Sequence, residues 1–215
     1  MQKEEIGMGW KNHNGYRSLL GFSHGVAGIV YALERLAEAA GNDHWKKIAN
    51  QALMYERFHF IPEQNNWPDF RVQTKKIHPV QWCHGATGVG FGRLYSPFFQ
   101  EDPKKMEEVQ AALEATTNSL PNTCGDHCCC GYAGKINFLI SAAKLLKEEK
   151  WKTIAQNELV QMVNRARTQG GYLPNNLLPR GTFSPGFMHG FAGIGYALLQ
   201  MTDKGSQLPQ VLVLE

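Results

Sequence analysis

Neither sign of charge dominates this 215-residue chain: 22 Lys and Arg stand against 19 Asp and Glu, a formal net charge of +3. So small an excess lacks the one-signed surface that nucleic acid or an anionic membrane selects, and neither partner is expected. No run reaches the roughly 18 apolar residues that a membrane-spanning helix needs. The N-terminal stretch MQKEEIGMGWKNHNGYRS has no apolar segment ahead of a small-residue cleavage site. No secretory signal is read there, and the expected compartment is the cytoplasm. Disulfide frameworks are also missing. There are five cysteines, and Cys124, Cys128, Cys129 and Cys130 fall within seven residues, whereas a secreted scaffold spreads its cysteines through a short chain. Neighbours such as Cys129 and Cys130 rarely bond each other, because the ring is strained. Thiols gathered in this way read as metal ligands or reactive groups. With 43% hydrophobic and 19% charged residues, the chain has the composition of one globular domain or a large piece of one.

What is present is repetition. A glycine signature occurs four times: HGVAGI from His24, HGATGV from His84, CGYAGK from Cys130 and HGFAGI from His189. Each reads His or Cys, Gly, any residue, Ala or Thr, Gly. A second match fixes a register. Trp45-Lys46-Lys47-Ile48-Ala49 with Leu53 recurs as Trp151-Lys152-Thr153-Ile154-Ala155 with Leu159, an offset of 106 that also separates His24 from Cys130.

Each unit reads as a pair of helices. Val26, Ile29, Val30, Leu33, Leu36 and Ala37 follow one helical face. Gly41 stops that helix, and Asn42 or Asp43 caps the next, which runs to about His59. Asp102-Pro103 caps and opens a helix through Met106, Val109, Leu113 and Thr117. Helices near 131–148 and 151–168 form a third pair, and 190–202 begins a fourth. The only strand candidate is the VLVL near the end, so the expected class is all-α. Helices opened by a glycine motif are small-residue-rich and belong inside; those between them carry the Lys and Glu and face water. The glycines leave backbone N–H groups available at the helix starts. Every motif then sits at one end of the assembly, which gathers residues 24, 83 and 130.

The strongest constellation is Trp82-Cys83-His84-Gly85 with Cys128-Cys129-Cys130-Gly131. A catalytic zinc takes three thiolate or imidazole ligands and keeps a fourth position open, and thiolates are favoured at helix N-termini. The same cysteines also fit a plain role as small buried hydrophobes. His24 at a helix mouth can serve as an acid or base near neutral pH, or merely hydrogen-bond a buried turn. His189 inherits the same two readings. His84 and His127 adjoin candidate ligands and could orient them.

Read in order, Gly21-Phe22-Ser23-His24-Gly25-Val26-Ala27-Gly28, Asn66-Trp67-Pro68-Asp69, Trp82-Cys83-His84-Gly85, Cys129-Cys130-Gly131 and Pro185-Gly186-Phe187-Met188-His189-Gly190-Phe191-Ala192-Gly193 resemble the lanthionine cyclase (LanC-like) domain that ends class II lanthipeptide synthetases. The tail Leu208–Glu215 resembles the end of those enzymes. The resemblance begins near residue 8. It implies an α/α toroid, here about three and a half of seven inner and outer helix pairs, so residues 1–215 are expected to be the C-terminal portion of the domain. It also implies zinc, and addition of precursor-peptide cysteine thiols to dehydroalanine or dehydrobutyrine, giving lanthionine or methyllanthionine rings.

By position, the resemblance makes Cys83, Cys129 and Cys130 the zinc ligands and His24 the catalytic histidine. Cys130 stands where most members have His; a subgroup reads Cys-Cys-Gly in the same way. The expected partner is a dehydrated precursor peptide, with the missing half of the domain or a dehydratase domain as further candidates. An isolated chain lacking half the cavity wall is expected to show little activity. Two other readings remain open at this point. One is an inactive peptide-binding or half-toroid partner module. The other is a structural zinc site completed by Cys124, Cys128 or His127.

Overall fold

The computed structural model describes residues 2–11, 17–71, 78–175, 178–180, 182–202 and 204–215. The chain divides into two units, residues 1–116 and 117–215. Seven α-helices supply nearly all of the regular structure among the described residues: α1 Val26–Ala40, α2 Asp43–Phe58, α3 Ala86–Leu94, α4 Pro103–Ser119, α5 Tyr132–Leu146, α6 Glu149–Thr168 and α7 Phe191–Gln200. A small antiparallel ribbon precedes them, β1 Gln2–Lys3 with β2 Met8–Gly9, in the register Gln2 to Gly9. The expected VLVL strand does not form. Residues 211–214 are turns, and Leu214 takes a φ of 59° that no ladder accepts.

The 106-residue offset is a structural identity. Helix α1 and helix α5 both have 15 residues and start 106 apart, and the starts of α2 and α6 are also 106 apart. Within its own unit, α1 packs on α2, and α5 on α6. Gly41 ends α1 in the left-handed region at φ 57°, where its N–H reaches the last carbonyls. The equivalent residue after α5 is Lys147, also at φ 57°. Asn42 caps α2 through its side chain, accepting from His44 N–H at 2.9 Å. Asp102 does the same for α4, accepting from Lys104 N–H at 3.1 Å. Both caps occupy the positions where short polar side chains satisfy the open N–H groups of a first turn.

In the first unit, α3 is buried along its whole length, as its apolar sequence requires. Helix α1 departs from the expected face. Val26, Ala27, Val30, Tyr31, Glu34 and Ala37 are the buried residues, while Leu36 is 43% exposed. The stripe has rotated to admit Glu34, whose carboxylate accepts from the Lys105 ammonium of α4 at 2.6 Å. Ser96 Oγ accepts from the same ammonium at 2.7 Å. A second buried network joins Glu56 of α2, Arg93 of α3 and Glu108 of α4, with Arg93 Nε 2.7 Å from Glu108. Arg57 adds contacts to Glu108 at 2.5 Å and to Asp102 at 2.7 Å. The charged helices therefore do not simply face water. Glu56 of α2 and Lys105 and Glu108 of α4 pair inward, because a charge taken out of water needs a hydrogen-bonded opposite charge.

In the second unit α7 packs on α5. Leu212 and Val213 of the C-terminal segment are buried. Gln210 Nε2 donates to Ser141 Oγ of α5 at 2.8 Å, and the Tyr196 hydroxyl of α7 donates to Pro209 O at 2.5 Å. The tail is thus tied to the helix that follows the Cys-Cys-Gly motif.

Candidate metal centre at the helix mouths

All four glycine motifs do the same local work. Gly25, Gly85, Gly131 and Gly190 are the N-caps of α1, α3, α5 and α7. The second glycine of each motif lies under the carbonyl two residues before the His or Cys. A Cβ on Gly28, Gly88, Gly134 or Gly193 would stand 2.1, 1.9, 2.0 or 2.1 Å from the carbonyl oxygen of Phe22, Trp82, Cys128 or Phe187. No side chain tolerates that approach, so the residue must be glycine. The loop then folds back over the first helical turn and holds the His or Cys at the mouth.

The same fold-back occupies the first helical N–H groups, which the sequence suggested were available. Val26 N–H donates to Leu19 O at 2.8 Å, Tyr132 N–H to Gly125 O at 3.0 Å and Phe191 N–H to Ser184 O at 2.7 Å, each seven residues back. In α3 the acceptor is the side chain of Asn66, which takes Ala86 N–H at 2.7 Å. The Asn66 amide donates in turn to His78 O and Pro79 O. That is the role of the Asn-Trp-Pro-Asp segment: Asn66 anchors the α3 mouth over a fully buried Trp67. Close by, Asp69 pairs with Arg71 at 2.7 Å. Burial pushes its carboxyl up, but the hydrogen bonds from Arg71 and the positive charges of His84 and Arg71 outweigh this and hold it below the usual range.

Neighbouring mouths are joined by a backbone bond between equivalent residues. In the first unit, Ser23 N–H donates to Cys83 O at 3.4 Å. In the second, Cys129 N–H donates to Met188 O at 3.0 Å. Ser23, Cys83, Cys129 and Met188 all directly precede the His or Cys of their motif. Side chains follow suit. His24 is exposed and stacks on the buried ring of His84, with centroids 5.6 Å apart. His127 packs against His189 at 4.7 Å.

The expected ligands stand as follows. Cys83 is buried just before α3. Cys129 is buried and Cys130 partly exposed at the mouth of α5. The sulfurs of Cys129 and Cys130 lie 3.4 Å apart as thiols. Two thiolates held about 2.3 Å from one tetrahedral zinc stand about 3.8 Å apart, so this pair fits a shared metal after a small adjustment. Cys128 is different. It is fully buried, its thiol donates to Gly193 O at 3.4 Å, and burial pushes its pKa up to about 12, which disfavours the thiolate a metal takes. Cys124 is exposed. His127 accepts Cys130 N–H through Nδ1 at 3.4 Å, and burial pushes its imidazole pKa down. No helix among the described residues is long and apolar enough to cross a membrane.

Comparisons with known proteins agree with this architecture. Nisin cyclase matches with a TM-score of 0.68 over 93% of this chain and 50% of its own, at 18% identity. At that identity the likeness is one of fold, the α/α toroid class, and the chain spans half the length of that protein. No curated protein sequence matches the chain. The model of the family described as lanthionine synthetase C-like protein matches residues 2–213. With nearly its whole length matched, this chain belongs to the lanthionine synthetase C-like family.

Proposed function

We propose that the chain carries zinc-dependent lanthionine cyclase chemistry, adding a cysteine thiol of a precursor peptide across a dehydroalanine or dehydrobutyrine. The observation that carries this reading is the backbone bond between equivalent positions of neighbouring motifs. It occurs from repeat one to two and from repeat three to four. Cys83 and Cys129 hold the same position in their motifs, and Cys130 follows Cys129 directly. Cys83, Cys129 and Cys130 are the donor set able to serve one metal ion. The hydrogen-bonded burial of Cys128 and the exposure of Cys124 support a centre with its fourth position left to substrate, as against a closed structural site.

Bound there, zinc would lower the pKa of a substrate thiol, so that a thiolate exists at neutral pH. The chain's own residues do the rest. Sulfur addition to the β-carbon leaves an enolate whose α-carbon must take a proton. His24, exposed at its mouth and stacked on His84, would give that proton and be recharged from solvent.

Elemental analysis of purified protein should find about one zinc per chain, as an open three-ligand centre requires. The combined Cys83→Ala, Cys129→Ala variant should hold none. Full zinc retention in that variant overturns the ligand assignment. Loss of substrate thiol on a dehydrated precursor peptide then distinguishes a cyclase from an inactive peptide-binding relative.

A further inference from the structure

The sixth position of the glycine motif is Ile29, Val89 and Ile194 in the three repeats that begin with His, but Lys135 in the one that begins with Cys130. An apolar residue is what this position packs: Val89 and Ile194 are essentially inaccessible. Lys135 is buried too, at 4% exposure. Its ammonium donates to Ser119 O at 3.4 Å, Ser119 Oγ at 2.8 Å and Thr123 Oγ1 at 2.5 Å. Those are neutral oxygens, and among the described residues no carboxylate forms an ion pair with this ammonium. A buried cation without a counter-charge is costly. The contrast within the chain is direct, since the buried Lys105 and Arg93 each have a carboxylate partner.

We infer that Lys135 is the counter-ion of the cysteine at the third motif, a positioning residue that offsets the negative charge a thiolate ligand brings where the other repeats carry histidine. The inference rests on the zinc-centre reading above. Its geometry is local to one unit: Lys135 lies one turn inside α5, and Cys130 stands at the mouth of that helix. Burial pushes the Lys135 ammonium down to about 8, and the nearby Cys124 and Cys130 pull against that shift without cancelling it. Of the two, Cys130 is the member of the motif that changes together with residue 135. Three thiolates on one divalent ion leave a net charge of −1, and a partly buried anion of that kind is stabilised by a fixed cation in a low-dielectric surrounding.

The test is zinc affinity, measured by competition with a chromophoric chelator. Lys135→Gln keeps hydrogen-bonding capacity toward Ser119 and Thr123 and removes the charge. Lys135→Ile installs the residue that two sister repeats carry, and a native circular dichroism spectrum is required of each variant before its affinity is compared. Each is made in the native chain, in Cys130→His and in Cys124→Ser. We expect zinc affinity to fall about 10- to 100-fold in the native and Cys124→Ser backgrounds, the usual effect of removing a group that supports a ligand. In Cys130→His, where the ligand is neutral, less than about a threefold change is expected. An equal loss in the native and Cys130→His chains makes Lys135 merely structural and overturns the inference. So does an unchanged affinity in the native chain, and so does an effect that disappears in Cys124→Ser. If the unsubstituted protein binds no zinc at all, the zinc-centre reading itself has failed, a result distinct from these.

Discussion

A single thiol can be small, buried and inert, or exposed enough to bind and react, and the run of three cysteines before α5 contains both kinds. Cys128 packs over Gly193, where an added Cβ would stand 2.7 Å from its sulfur, and keeps its proton in a hydrogen bond. Cys129 and Cys130 turn to the mouth with adjacent sulfurs. Replacing Cys124 and Cys128 together by Ser should therefore leave zinc stoichiometry unchanged, at a stability cost of about 1 kcal/mol for a less apolar group at the buried site. Lost zinc would favour a closed four-ligand site. In a full-length context, His24→Asn should retain zinc and slow ring closure about 10²–10⁴-fold, the usual worth of a positioned acid or base. Zinc loss in that variant would make His24 a ligand, and an unchanged rate would make it a structural residue. The glycine spacing alone made the placement of these side chains at helix mouths legible, because only glycine leaves room for a carbonyl that would stand about 2 Å from a Cβ. The bond from Ser23 to Cys83 was not legible, since a backbone hydrogen bond leaves no mark on side-chain identity.

Among the helices, capping chemistry was the most readable feature. Gly41, Asn42 and Asp102-Pro103 all end or begin helices where their dihedral and hydrogen-bonding preferences put them. The inward face of α1 was less readable. A Glu within an apolar stripe looks like an interruption until its partner, 71 residues away on α4, is known. The two-residue strands were too short to register as alternation. The matched helix ends offer a direct test of backbone strain. Lys147 holds the same φ, near 57°, that Gly41 holds without penalty. A left-handed conformation costs a residue with a Cβ about 1–2 kcal/mol, offset in part by the greater chain entropy glycine loses on folding. Lys147→Gly should thus stabilise the protein by about 0.5–1 kcal/mol in urea denaturation. A destabilisation would mean that the Lys147 side chain contributes more than its backbone costs.

For the molecule as a whole, the ion pairs that join α2, α3 and α4 make part of its stability depend on pH. Burial raises the Glu108 carboxyl, but Arg93 and Arg57 outweigh that and hold it below the usual carboxylate range. A carboxyl whose folded value is depressed contributes stability above its unfolded value, about 4.3, and loses that contribution as the pH falls through the folded value. The advantage of the native protein over Glu108→Gln in urea should therefore be full at pH 7 and shrink below about pH 4. A gap that stays constant down to pH 3 would mean that the pairing does not perturb Glu108. The glycine-motif architecture has a different kind of consequence. Ser23, Cys83, Cys129 and Met188 occupy one structural position, and the bonds seen between neighbours there use main-chain atoms alone. The side chain each of these residues carries is thus uncoupled from what holds the repeats in register. A lineage can exchange hydroxyl, thiol or thioether at this position by single substitutions while the assembly rule stays constant, so a catalytic centre can be written into, or erased from, a scaffold that never has to be refolded to receive it.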